Sequence, residues 1–71
     1  MEEIVLGIYE HFKGDRYRVI LTGRHSETKE EQVVYFSLDH PETGFWIRPK
    51  GMFLENIILD GREVPRFKRV E

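Results

Sequence analysis

The chain predicts an all-β fold, a small SH3-like barrel of about five short strands with one short helical turn. Three observations predict it. Turn-forming residues interrupt the chain at close, regular spacing: Gly14-Asp15, His25 to Glu31, Asp39 to Gly44, Pro49 to Gly51 and Asp60-Gly61. Between them lie runs rich in β-branched and aromatic residues, which suit a pleated, half-buried surface. So many short strands in 71 residues favour a closed or nearly closed barrel, the arrangement that leaves fewest open edges.

Length allows one domain, residues 1–71, close to the size at which a single core becomes marginal. Cysteine is absent, so no disulfide can staple the fold and no thiolate can serve as nucleophile or zinc ligand. Stability then rests on packing, with nine aromatics (five Phe, three Tyr, one Trp) as its main means. Charged residues make up 34% with a net charge of −2. That mixture excludes a nucleic-acid binder recognised by bulk charge alone and leaves room for a local basic patch. No apolar run approaches the ~18 residues of a membrane span, and the acidic start MEEIVLG does not resemble a signal peptide. No membrane partner is expected, and a prokaryotic cytoplasm is the simplest location.

The elements follow in order. Gly14-Asp15 suits a two-residue type II′ turn, because glycine accepts the positive φ of its first position. That register pairs Phe12 with Tyr17, Glu10 with Val19 and Ile8 with Leu21 on a core face. Tyr9, His11 and Arg18 then fall on the wetter face. Glu10 is the weak point of this pairing. From Gln32 to Leu38, Val34, Phe36 and Leu38 share one side and Val33 and Tyr35 the other, as in a strand covered on both faces. In FWIRP, Phe45 and Ile47 oppose Trp46 and Arg48, and Pro49 ends the strand because it cannot donate to a ladder. KGMFLEN predicts one helical turn near residues 50 to 55, with Phe53 and Ile57 on one face. Asp60-Gly61 suits a type I′ turn, and Phe67 anchors the last strand.

In this order, GIYEHFKGDRYRV, RHSET, VVYFSL, FWIRP, MF and DGREVPRF resemble the short bacterial family catalogued as domain of unknown function 1653. The resemblance runs from Gly7 to Phe67. It implies a compact β-rich fold of the SH3-like kind and brings no catalytic residue to carry over. The family pattern matches Tyr9, His11, Lys13, Gly14, Tyr17, His25, Glu27, Tyr35, Trp46, Arg48, Pro49, Phe53, Arg66 and Phe67.

Two constellations carry chemistry. His25 and Glu27 form H-x-E, which on an extended segment places both side chains on one face. His11 would add a third ligand for a two-His, one-carboxylate metal site or an acid/base centre. The spacing is generic, a zinc deaminase would need a P-C-x-x-C partner, and hydrogen bonding within the loop accounts for the same residues. No metal or cofactor is therefore assigned. Ser26 next to His25 makes no nucleophile–base pair, since neighbours on a strand point apart. Thr28-Lys29-Glu30-Glu31 reads as a capping box opening a helical turn.

The second constellation interleaves aromatics with bases: Tyr9, His11 and Arg18 from the first hairpin, Trp46 and Arg48 from FWIRP. Rings and guanidiniums together stack bases, hold phosphates or grip an extended peptide. Packing of Trp46 in the core is the competing reading. Arg48 and Arg66 each abut a proline, which fixes their backbone and suits them to bidentate anion binding or to an internal pair with Glu27 or Glu10. The sequence thus predicts a non-enzymatic binding module over Tyr9, His11, Arg18, His25, Glu27, Trp46, Arg48 and Arg66. Single-stranded nucleic acid stands marginally ahead of an extended peptide or protein partner. A metal-dependent or acid/base enzyme centred on His11, His25 and Glu27 is the alternative, and a structural adaptor without a ligand is a third.

Overall fold

The computed structural model describes residues 4–71, so the acidic start at Glu2 and Glu3 lies outside the described residues. Seven strands and one helical turn follow in the order β1 (Gly7–His11), β2 (Arg16–Arg24), β3 (Glu31–Ser37), β4 (Phe45–Pro49), α1 (Lys50–Phe53), β5 (Asn56–Leu59), β6 (Arg62–Pro65) and β7 (Phe67–Arg69). A 3-10 turn, Pro41–Thr43, joins β3 to β4. Five strands make one antiparallel sheet in the order β4-β3-β2-β1-β7, while β5 and β6 pair as a separate ribbon. The all-β expectation holds, with more strands than the expected five or so and the helical turn where it was predicted.

The first hairpin departs from the expected register. Its loop has three residues, Phe12 to Gly14: His11 N–H donates to Asp15 O at 2.8 Å and Gly14 N–H to His11 O at 2.7 Å. Gly14 takes φ 108° at the last loop position, the place where three-residue hairpin loops turn left-handed. Tyr9 therefore faces Tyr17, Ile8 faces Arg18 and Glu10 faces Arg16. The core face is the one that carries Tyr9, His11, Tyr17 and Val19. The correction resolves Glu10, which no longer points inward and sits opposite a cation.

Six residues make the buried core: Tyr9, Val19, Val33, Tyr35, Phe53 and Phe67. Four are aromatic, and they interlock. Phe53 stacks on Phe67 with centroids 4.2 Å apart and planes 7° from parallel. Tyr9 meets Phe53 edge-on at 5.2 Å, and Tyr35 meets Phe67 at 5.6 Å. Such pairs each add about 0.5–1.5 kcal/mol beyond the area they bury. The helical turn exists to deliver Phe53. It ends at that residue, so Ile57 lies instead in β5, paired with Val64.

The sheet is strongly curled. A flat sheet would hold β4 and β7, its two edges, about 19 Å apart at ~4.8 Å per strand step. Yet the Arg48 guanidinium on β4 lies 6.0 Å from the Phe67 ring centroid on β7. A bulge at Ile20, between the Val19–Tyr35 and Leu21–Val34 pairs, supplies part of the bend, since the extra residue increases local twist. Side chains bring the two edges together, and the result is a small barrel with a seam.

The remaining turns divide. Asp60 and Gly61 take φ 52° and 76° between paired Leu59 and Arg62, the type I′ turn expected. The segment from His25 to Glu30 is a hairpin loop in which Lys29 N–H donates to His25 O at 2.8 Å, a single helical turn that does not continue, with Lys29 at φ 66°. Thr28 Oγ1 accepts Glu30 N–H at 3.2 Å. Glu31 belongs to β3 and its carboxylate meets Lys50 Nζ at 3.3 Å, so the capping box does not form. Each half of that motif found a closer partner. No helix among the described residues is long and apolar enough to cross a membrane.

Candidate functional site

The curled sheet leaves a cleft of about 180 Å³ at its seam, lined by His11, Tyr17, Tyr35, Trp46, Arg48 and Phe67. Register places all of them on the concave side. Tyr17 lies opposite Tyr9 across the first hairpin, Tyr35 pairs with Trp46 and Val33 with Arg48, and His11 pairs with Phe67. The floor is core: Tyr35 and Phe67 are buried. Trp46 is 47% exposed and stands at the rim, its indole N–H donating to Thr43 Oγ1 at 3.3 Å. Trp46 is thus neither core nor free.

Arg48 is the cation of this cleft. Its Nε–H donates to the Tyr35 hydroxyl at 3.3 Å, and among the described residues no carboxylate lies within salt-bridge distance of it. One N–H of the guanidinium is thereby oriented and the outer fork is left to a ligand. Tyr17 packs edge-on against Tyr35 at 5.4 Å. Burial first, then the nearby charge of Asp15, raises the Tyr17 phenol, while Arg48 pulls the other way. The Tyr17 phenol therefore stays protonated near neutrality and can donate.

His11 forms the other wall. Its ring meets Phe67 edge-on at 4.9 Å, and its Nδ1 accepts the Lys13 N–H at 3.2 Å. Burial first, then Lys13, Arg66 and Arg48, lowers its pKa below the ordinary histidine value. The imidazole is neutral at pH 7, with its proton on Nε2.

Other residues marked in the sequence go elsewhere. Tyr9 is buried in the core, its hydroxyl donating to Val5 O at 2.7 Å. Arg18 pairs with Ile8 and Phe36 on the convex side, away from the cleft. Arg66 donates from Nη2 to Glu55 at 2.8 Å, its carbonyl accepts the Phe12 N–H, and its own N–H reaches Glu55 O. It ties the first hairpin to the segment after α1, with a partner that is neither Glu27 nor Glu10.

His25 and Glu27 sit at the far end of the sheet. His25 Nδ1 accepts two backbone N–H groups, from Glu27 at 3.1 Å and Thr28 at 3.2 Å. The imidazole closes the turn as an Asn or Asp side chain would. His11 and His25 flank opposite ends of the nine-residue β2, roughly 30 Å apart along the strand at ~3.3 Å per residue. The proposed triad with Glu27 does not assemble, and no group of three or more potential metal ligands occurs among the described residues.

Tyr17, Tyr35 and Phe67 are the site residues that the sequence reading placed only in the fold. The spacing of His11, Tyr17 and Phe67 becomes informative once the three-residue turn sets the parity of the first hairpin.

Comparison with known proteins locates the chain. Residues 7–69 match the family model described as Protein of unknown function (DUF1653). A crystal structure of a protein of that family from Bordetella bronchiseptica is similar at a TM-score of 0.84 and 31% identity. The alignment covers 96% of this chain and 88% of that one. No curated protein matches.

Proposed function

Since the chain belongs to the DUF1653 family of unknown function, membership brings no activity with it, and we propose that the protein is a small non-enzymatic binding module. Its ligand seats in the seam cleft, and an extended peptide of a partner protein is the ligand this geometry favours. The carrying observation is Arg48, aimed by the Tyr35 hydroxyl and without a carboxylate partner among the described residues, in a cleft otherwise walled by rings.

That reading reverses the order given by residue types alone. Binding a nucleic-acid strand calls for a basic track along several phosphates. Arg18 faces the other side of the sheet and Arg66 is engaged by Glu55, so one guanidinium remains where the rings are. A peptide with one anionic group and one apolar or aromatic side chain needs no more. The dispersed histidines count against the enzymatic alternative. The module acts as one domain, and the reading takes the cytoplasm as its compartment.

Trp46, the chain's single tryptophan, reports on the cleft directly. Titration with a mixed pool of short peptides shifts its fluorescence and the amide signals of β3, β4 and β7. A parallel titration with single-stranded oligonucleotides at low salt leaves them in place. If the oligonucleotides alone produce the shifts, with a steep salt dependence, the nucleic-acid reading replaces this one. Silence in both arms leaves the adaptor reading.

A further inference from the structure

Resting on that reading, we propose that the seam cleft recognises the C-terminal carboxylate of its peptide, with the terminal side chain held between Trp46 and the ring floor. The carboxylate pairs with the outer N–H groups of Arg48 and accepts from the hydroxyls that line the same space.

Three features converge on a chain end. The first is size. About 180 Å³ accommodates roughly one residue, so little chain can continue beyond the anionic group. The second is the donor set. Arg48 offers a planar fork whose Nε is already spent on Tyr35 at 3.3 Å, leaving the Nη groups to match the two oxygens of one carboxylate. Tyr17 and Tyr35 line the same cleft, and the rise in the Tyr17 pKa keeps its phenol a donor. The third is the absence of competition. The charges that act on His11 here are mainly cationic, from Lys13, Arg66 and Arg48, with Asp15 alone opposing. At Tyr17 Asp15 and Asp39 oppose Arg48, so the attraction for an anion rests on Arg48, which has no carboxylate partner among the described residues.

The terminal side chain has its own seat. Phe67 and Tyr35 provide a buried apolar floor, and Trp46 stands 47% exposed above them. Its indole is held by the Thr43 hydroxyl at 3.3 Å, so the ring is set in place before a ligand arrives. An aromatic or branched terminal residue covers that exposed indole face, whereas glycine leaves it wet.

The test compares synthetic hexapeptides ending in Phe, as free acid and as C-terminal amide, by Trp46 fluorescence and by NMR of the intact chain. The free acid binds at least about tenfold tighter than the amide, the range for a hydrogen-bonded charge. Replacing terminal Phe with Gly weakens the free acid. Arg48→Gln erases the preference for the acid, while Arg48→Lys restores part of it. Equal binding of acid and amide by the wild-type chain overturns the inference. So does an amidated peptide with an internal Asp that binds as tightly as the free acid. Both wild-type comparisons hold whether or not an Arg48 variant folds. If no peptide moves the Trp46 signal, the broader reading of the cleft falls; if amide and acid move it equally, only the terminus assignment does.

Discussion

Two histidines perform one structural task. His25 Nδ1 closes the β2–β3 loop on the Glu27 and Thr28 N–H groups, and His11 Nδ1 closes the β1–β2 loop on Lys13. In each case a ring nitrogen stands in for the carboxylate or amide oxygen that usually stabilises a turn. His25→Ala should cost on the order of 1 kcal/mol in chemical denaturation, with His25→Asn recovering much of it. For His11 the shift itself predicts a pH dependence. Burial, with Lys13, Arg66 and Arg48 adding to it, holds the folded-state pKa below the ordinary 6.5. The unfolded chain therefore takes up this proton first on acidification. The stability tied to the neutral ring is complete above that ordinary value and is lost as pH falls from there through the folded one. Thermal melts should show the decline as pH falls below the ordinary 6.5, and His11→Asn should flatten it.

At the level of elements, glycines separate two kinds of constraint. Gly14 has φ 108°, and an added Cβ there would meet nothing within 4 Å. Gly14→Ala then costs conformational strain alone, about 1–2 kcal/mol. Gly7 has φ 145°, and an added Cβ would strike the backbone oxygen of Glu71, the acceptor for Ile8 N–H at 3.0 Å. Gly7→Ala adds a lost strand contact to the strain and should be the more destabilising of the two by denaturant midpoint. The same hairpin shows how far local residues reveal the fold. Turn positions, the type I′ ribbon and the helical turn were legible, because each is fixed by a few neighbours. The first register was not, since Gly14 serves equally well opening a two-residue turn or closing a three-residue one. That one choice moved Tyr9 into the core and Arg18 to the opposite face. Trp46 and Arg48 kept their shared face, because residues two apart in one strand lie on the same side whatever its register. Arg66 was legible as a directed side chain, but its partner Glu55 lies across a non-local contact that no spacing encodes.

For the molecule as a whole, stability and recognition draw on adjoining aromatics that should separate by mutation. At about 0.05–0.15 kcal/mol per residue, a chain of this length has about 4–11 kcal/mol in hand. Phe53 is 1% exposed and touches Tyr9, Tyr35 and Phe67. Phe53→Ala should remove about 3–5 kcal/mol, enough to populate the unfolded state in mild denaturant. Trp46→Ala should leave the melt nearly unchanged and abolish the peptide-induced amide shifts. Loss of stability without a separable binding defect would favour the adaptor reading.

The seam has a dynamic consequence. Across β4 and β7 the Arg48 guanidinium rests over the Phe67 ring 6.0 Å away, steadied by the Tyr35 phenol of β3 on its own side of the seam. No strand pairing joins the two margins, so parting them breaks side-chain contacts, this pair and the Phe53–Phe67 stack behind it, and no ladder of backbone hydrogen bonds. A strand pair held by a ladder opens far more rarely. A ligand wedged between Trp46 and Arg48 would act as a keystone, converting this hinge of side-chain contacts into a fixed ring. Amide exchange should then slow on both margins at once, including on β7, which contributes only Phe67 to the cleft.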